Sequence, residues 1–302
     1  MNNIKTLLAA FLFAGCAYAA NNAETIKVGT CNIRNQRGDA GTPNAWDLRK
    51  ADLANSLRKQ DMDTFGLQEV YRKQADYIKK LLPQYTMVGV HRDDGKRKGE
   101  ASPVFFRKDR FEALDSGTFW LSETPDVPGS KSWGAALPRI CSWALLKSRK
   151  SGKTFCFANT HTDHRSKLAR KNGMLLIIEK MREFAPAGTP IVFVGDHNCL
   201  ETDEPAKAVS AILKDALYIS ENTPTGSWRT YNGWAWEDRE LTIAEALKLP
   251  SGKRNWKKHS RIDYIYVSDG IKVKNYGVVN DPRPGTEFYI SDHFPVNAVI
   301  EL

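Results

Sequence analysis

Residues 191–200 read IVFVGDHNCL: no charge from Ile191 to Gly195, then Asp196, His197 and Asn198 in a row. Gly, Asp and Asn are turn residues, so the run has a plain reading as a strand entering a loop. Its other reading is a rigid post with two oxygen-bearing side chains at the tip. Similar strand-like runs occur at 25–33, 63–70, 85–90, 103–106, 118–121, 140–147, 154–160, 261–267 and 295–302. Asn32 ends the first and Glu69 the second, and His161 and Asp163 follow the run that ends Ala158-Asn159-Thr160. Asp263 opens RIDYIYV, and Asp292 and His293 stand just before the last run. One polar strand end is ordinary; a whole series with apolar strands behind it points to a shared site.

Helical spacing places Trp46, Leu53 and Leu57 on one face, and Tyr71, Ala75, Ile78 and Leu82 on another. Met174, Ile178 and Met181 form a third such face, and Val209, Ile212, Leu213 and Ala216 a fourth. The middle of the chain is hairpin-rich, with Lys150-Ser151-Gly152 as a tight turn. This mixture predicts an α/β (α+β) fold of two packed sheets with helices outside, not a uniform βαβ repeat. No Pro/Gly/Ser linker divides residues 24–302, so one domain is expected there. The longest stretch without clear period runs from about 222 to 260.

The first nineteen residues read differently. Lys5 precedes the apolar run LLAAFLFAG, and Ala17-Tyr18-Ala19 supplies the small residues of a signal-peptidase site. Residues 1–19 are therefore expected to be a signal peptide, with the mature chain exported to a periplasmic or extracellular location. Phe13-Ala14-Gly15-Cys16 offers the alternative of a lipid anchor at Cys16. No later run is long enough to span a membrane, and a monomer is expected. Loss of Lys5 lowers the formal charge from +9 by one, leaving a basic chain suited to phosphorylated partners or simply to solubility. Cys31, Cys141, Cys156 and Cys199 show no CxxC spacing, and three lie in apolar runs. Buried free thiols are expected, with no obligatory disulfide framework and no zinc site.

Oxygen ligands with histidines suit metal-assisted attack on phosphorus. A hard cation such as Mg²⁺ or Mn²⁺ takes carboxylates and phosphate oxygens. A further carboxylate orients or deprotonates water, and a histidine beside an acid supplies charge or a proton. The chain has no GxSxG elbow, P-loop, HExxH or dinucleotide fingerprint.

The ordered motifs TCNIR, LQEV, NTHTDH, GDHN, RIDYIYV and SDHFPV resemble those of the endonuclease/exonuclease/phosphatase superfamily, from about Ile26 to Leu302. The resemblance implies a four-layer α/β/β/α sandwich with its site at one end of the sheets. It implies Glu69 as the principal metal ligand, with Asn32 and Asp292 close to the metal. Asp196 and Asn198 would position water and a phosphate oxygen. His293, backed by Asp263, would contact the scissile phosphate, with His161 as a second contact or acid. The family commonly has an apolar or aromatic residue at the position of His197, which reads as structural, its side chain pointing away from its neighbours'.

Substrate is less legible. Trp228, Trp234 and Trp256 are interleaved with cations between 227 and 260, and such segments stack bases, grip sugars or only pack a loop. Arg139 is a candidate phosphate fork or an ordinary ion pair. Asp163 is a candidate contact or part of a loop network, and His91 is expected in a solvated loop. Three readings stay open: a nuclease or 3′-exonuclease-like phosphodiesterase, a phosphatase or phosphodiesterase for a small or lipid-borne phosphoester, and an inactive binding protein. Basic charge favours nucleic acid as partner; the catalytic set argues against the third reading.

Overall fold

The computed structural model describes residues 23–237, 239–254 and 260–302. The expected leader, Cys16 and Trp256 lie outside the described residues. In chain order the strands are β1 (Thr25–Asn32), β2 (Thr64–Gln68), β3 (Tyr85–Val88), β4 (Val104–Arg107), β5 (Phe111–Trp120), β6 (Ile140–Ser148) and β7 (Thr154–His161). Then come β8 (Ile191–Asp196), β9 (Lys214–Asp215), β10 (Thr225–Gly226), β11 (Asp263–Val267), β12 (Lys272–Val278) and β13 (Val296–Glu301). The helices are α1 (Trp46–Gln60), α2 (Arg72–Leu81), α3 (Lys167–Phe184), α4 (Glu204–Ser210) and the short α5 (Ile243–Ala246). One mixed sheet has the order β10-β12-β13-β1-β2-β4-β3 and the other β5-β6-β7-β8-β11-β9.

Strand alternation sends successive side chains to opposite faces, and here both faces are buried. Between the sheets, Ile26, Val28, Val104 and Phe106 meet Phe155, Phe157, Val192, Val194, Ile265 and Val267. On the outer face of the larger sheet, Cys31, Phe65 and Leu67 pack under Trp46, Leu53, Leu57, Ala75 and Ile78. On the other side, Cys156, Ala158, Phe193, Tyr264 and Tyr266 lie beneath Met174, Ile177, Ile178, Met181 and Val209. The result is the expected four-layer sandwich, and it explains why Ile191 to Val194 are uniformly apolar. Cys31, Cys141, Cys156 and Cys199 are buried free thiols.

Three expectations change. The helix expected to carry Val209 through Ala216 stops at Ser210, because Lys214–Asp215 pairs with β11. β5 begins seven residues earlier than residue 118, its polar Glu112, Asp115 and Ser116 being tolerated on an edge strand. β12 escaped notice because a bulge between Val273 and Asn275 breaks its alternation.

The sheets are also joined by a polar link. Asn159 of β7 reaches across to donate from Nδ2 to the carbonyls of Leu67 at 2.8 Å and Pro103 at 2.9 Å. Its Oδ1 accepts from Gln68 Nε2 at 2.6 Å, and that nitrogen also reaches Thr30 Oγ1 at 2.8 Å. The approach requires glycine opposite, since a Cβ on Gly66 would come within 2.3 Å of the Asn159 side chain. Asn159→Ala strips partners from buried groups and is expected to cost about 1–3 kcal/mol, read from urea denaturation.

His197 lies in the outer core, 0% exposed, stacked on Phe193, Tyr264 and Tyr266 with ring centroids 4.7, 5.3 and 5.6 Å away. Burial, with Arg261 adding to it, pushes its pKa down to about 3 from an ordinary 6.5. The unfolded chain therefore takes up a proton below 6.5 that the folded protein refuses until about 3. This contribution to stability is complete above 6.5 and drains as pH falls. His197→Phe should flatten the loss of stability between pH 6.5 and 4, measured by denaturation at a series of pH values.

Candidate active site

Register alone builds one half of the site. His161 is the parallel partner of Asp196, and Asp196 the antiparallel partner of Asp263, so one row crosses the tips of β7, β8 and β11. The strands close tightly there. Gly195 has φ 146°, and a Cβ on it would fall 2.1 Å from the Thr160 carbonyl oxygen. Asn198, at φ 47°, donates its backbone N–H to Asp196 Oδ1 at 3.0 Å and its Nδ2 to the Thr162 carbonyl at 3.1 Å. The carboxylate and carboxamide of the GDHN turn are thus fixed at the tip, while His197 between them faces the helices.

The larger sheet supplies the other half. Glu69 directly follows β2 with φ 62°, a conformation that a non-glycine residue adopts only when its surroundings enforce it. Its Oε2 accepts from Asn35 N at 2.9 Å and Nδ2 at 2.7 Å, and its Oε1 from Asn32 Nδ2 at 3.1 Å. The same Asn32 nitrogen donates to Asp196 Oδ2 at 3.0 Å, while its Oδ1 accepts from Arg34 N at 2.9 Å. Ser291 Oγ donates to the Asn32 carbonyl at 2.7 Å, joining the segment of Asp292 and His293 to the end of β1. Arg49 of α1, fully buried, donates to the carbonyls of Ile33, Arg34, Asn44 and Ile290 at 2.6–3.0 Å.

Electrostatics divides the roles. His293 Nδ1 lies 2.8 Å from Asp263 Oδ2, and its Nε2 is 3.7 Å from Asp196 Oδ2. Burial alone would lower His293, but the charges of Asp263 and Asp196 outweigh it and keep the ring protonated above its ordinary range. Asp196 is raised well above the usual carboxylate range by burial, against the pull of His293. His161 Nε2 sits 3.4 Å from Asp196 Oδ2, yet burial and then Arg139 and Arg92 keep it neutral. A neutral His161 fits a hydrogen-bonding contact to phosphate, not the acid.

The donor set fits a divalent cation. Burial works against Glu69, but the donors from Asn35 and Asn32 prevail and hold its pKa down. Asp292 is raised by burial, and by the charge of Glu69 against the pull of His293. Two buried carboxylates that raise one another's cost are relieved by a hard cation. Glu69 and Asp292 would hold it, with Asn32 beside them, its Nδ2 donating to Glu69 and its Oδ1 accepting from Arg34 N. Asp196, Asp263 and His293 also bring ligand atoms within 4.8 Å of one another. There the imidazole lies between two carboxylates, 2.8 Å from Asp263 Oδ2 and 3.7 Å from Asp196 Oδ2, whose charges favour its protonated form.

These groups open into a cleft of about 510 Å³. A larger groove of about 690 Å³ beside residues 36–50 contains none of the strand-tip residues. Arg139 lines the cleft, 5% exposed, with Nη2 3.1 Å from His164 Nδ1. Asp163 does not reach it: its carboxylate accepts the backbone N–H groups of Ala136, Arg165 and Ser166. Trp228 is 0% exposed inside the core, and Trp234 packs against that core, with Arg49 5.4 Å from its ring centroid. Trp228 is therefore not a substrate platform, and Trp234, partly buried, does not line the cleft. His91 is buried, not solvated, with Nδ1 3.0 Å from the Gly99 carbonyl. Sequence reasoning missed Arg34, Asn35, Arg92, Glu100 and Leu137, all in loops, and did not single out Tyr231, whose ring lies 5.0 Å edge-on to His293. The RNQR stretch at 34–37, one residue beyond Asn32, was the available signal for the first two.

Comparison with known proteins agrees with this geometry. A solved mannosyl-6-phosphatase from Bacteroides thetaiotaomicron VPI-5482 is 37% identical, covers 91% of this chain and 99% of its own, and superposes with a TM-score of 0.79. Nocturnin from Drosophila melanogaster is 22% identical over 85% of this chain, and the CCR4-Not complex 3′-5′-exoribonuclease subunit Ccr4 of Emericella nidulans is 26% identical over 39%. The chain spans only 42% and 20% of the lengths of those two relatives. Among the described residues no helix is long and apolar enough to cross a membrane. Residues 29–293 match the Endonuclease/Exonuclease/phosphatase family, and the chain belongs to it.

Proposed function

We propose that the protein is a Mg²⁺- or Mn²⁺-dependent phosphomonoesterase for a phosphate carried by a small polyhydroxylated alcohol, such as a sugar. The observation that carries this reading is the cleft wall. Arg139, 5% exposed, shares one compact cleft with His161, Asp196 and His293, which suits a single small anion. The relative with 37% identity, named a mannosyl-6-phosphatase, supports the same substrate class. Burial of Trp228 takes away part of the basis for a polynucleotide platform.

In this reading Asp196 orients the attacking water and accepts its proton, as its raised pKa allows. His293 presents Nε2–H to the phosphate and His161 adds a neutral donor, while Asn198 fixes the turn between them. The bond from phosphorus to the leaving alcohol oxygen breaks as the bond to water oxygen forms; the leaving oxygen takes a proton from water in the cleft, and Asp196 returns its proton to solvent. Glu69 and Asp292 would hold a divalent cation, which would offset charge developing on the phosphate oxygens. A second reading, a 3′-exonuclease, draws on Tyr231, whose 40% exposed ring stands beside His293 where a base could stack.

A phosphoester panel tests both. Hexose phosphates are expected to be hydrolysed with Mg²⁺, to stop with EDTA and to recover on adding metal back; Glu69→Gln should raise the metal concentration required. Salt dependence should be shallow, whereas a polynucleotide would lose about tenfold or more over a modest rise in ionic strength. Turnover of single-stranded DNA or RNA with no hydrolysis of small esters would establish the second reading. The pH profile offers an independent check. Asp263→Asn removes a charge that holds the His293 proton, so the alkaline limb of kcat/KM should move to lower pH. An unmoved limb would detach that limb from His293.

A further inference from the structure

We infer that Glu100 and Arg92 form a subsite for the leaving alcohol, binding its hydroxyl groups; this rests on the phosphomonoesterase reading. Both residues line the catalytic cleft but are delivered by the loop after β3 and not by a strand tip. That loop is held rigidly at both ends. Arg92 N donates to the Glu100 carbonyl at 2.9 Å, and Trp120 Nε1 donates to the Arg92 carbonyl at 2.6 Å. Asp94 Oδ1 accepts three backbone N–H groups, from Lys96, Arg97 and Lys98. Ala101 pairs with Val70, which follows Glu69, so Glu100 sits one residue along from a direct tether to the metal-side carboxylate.

The charges in this wall do not satisfy one another. Arg92 Nη1 donates to Glu100 Oε2 at 2.7 Å, but Arg92 Nε is buried without a hydrogen-bond partner among the described residues. The nearest carboxylate oxygen paired with that Nε, Asp93 Oδ1, is 3.8 Å away. Arg139 Nε, in the same cleft, is likewise buried and unpartnered, 4.0 Å from Asp163 Oδ2. Those two Nε atoms are closed off from the cleft, but Arg92 Nη2 and Glu100 Oε1 make no hydrogen bond among the described residues and belong to side chains that line it, so a guanidinium nitrogen and a carboxylate oxygen keep bonding capacity there. A phosphate alone would use the guanidiniums but would be repelled by Glu100. A polyol answers both: its hydroxyls donate to the carboxylate, and its oxygens accept from the guanidinium fork. Leu137, 40% exposed on the same cleft, offers an apolar surface for the carbon face of a sugar ring.

The test compares hexose 6-phosphates with p-nitrophenyl phosphate, which carries no hydroxyl, using the full chain with Mg²⁺. Wild type is expected to prefer the hexose 6-phosphates in kcat/KM. The isosteric Glu100→Gln should lower that preference by about tenfold or more, mainly through KM for the sugar ester, because a hydrogen-bonding site is then left mismatched. Arg92→Lys, which keeps the charge and loses the fork, should lower it in the same direction; thermal melting confirms that both variants are folded. An unchanged preference in both variants, an equal loss on both substrates, or a wild type without preference would each overturn the subsite while leaving the phosphomonoesterase reading standing. A wild type that hydrolyses neither monoester would overturn that reading and the subsite with it.

Discussion

One side-chain nitrogen spans the two halves of the site. Asn32 Nδ2 lies 3.1 Å from Glu69 Oε1 and 3.0 Å from Asp196 Oδ2, and those carboxylates stand at the tips of different sheets. Two buried carboxylates repel each other, and a neutral donor between them lowers that cost without neutralising either. The arrangement requires β1 and β8 to keep a fixed offset across the sandwich. That offset comes from the apolar layer between the sheets and from the Asn159 link near the same end. Catalytic geometry and core packing are therefore one constraint.

The site is costly to hold. Glu69 and Asn198 keep positive φ, and Asp196, Asp263, Asp292, His161 and His293 are buried ionisable groups. Such features persist only where the surroundings over-determine them. The determination comes from backbone donors and carbonyls: Asn35 and Asn198 N–H groups hold the carboxylates, and four carbonyls hold Arg49. Long apolar strands and three hydrophobic layers supply the stability that lets the tips remain strained.

Much of this was legible because apolar runs stop abruptly. Asn32, Glu69, His161, Asp196, Asp263 and His293 follow or open such runs, and strand register then brings them together. The four-layer fold was legible for the same reason, since strands buried on both faces lose their polar alternation. Residues delivered by loops were not. Arg92 and Glu100 reach the cleft through a bridge between Ala101 and Val70, a pairing that no local pattern announces. Trp228 stayed open between ligand contact and packing, because an aromatic between cations looks alike whether it grips a ligand or fills a core, and its burial decides for the core. Asp163 stayed open between substrate contact and loop network, because a carboxylate can serve three backbone amides as readily as a substrate, and here it serves the amides. β12 was lost to a single bulge.

Arg49 has a mechanical consequence. Its guanidinium lies near the faces of Trp46 and Trp234, 5.3 and 5.4 Å from their centroids, and ties α1 to the segments that carry Asn32 and Asp292. A cation bound by four carbonyls cannot let one go without stranding buried charge, so this side of the cleft behaves as a single stiff plate. Breathing is left to the rim, where Tyr231 and Leu137 are each 40% exposed. The traffic of molecules in and out is thereby separated from the part that must not move.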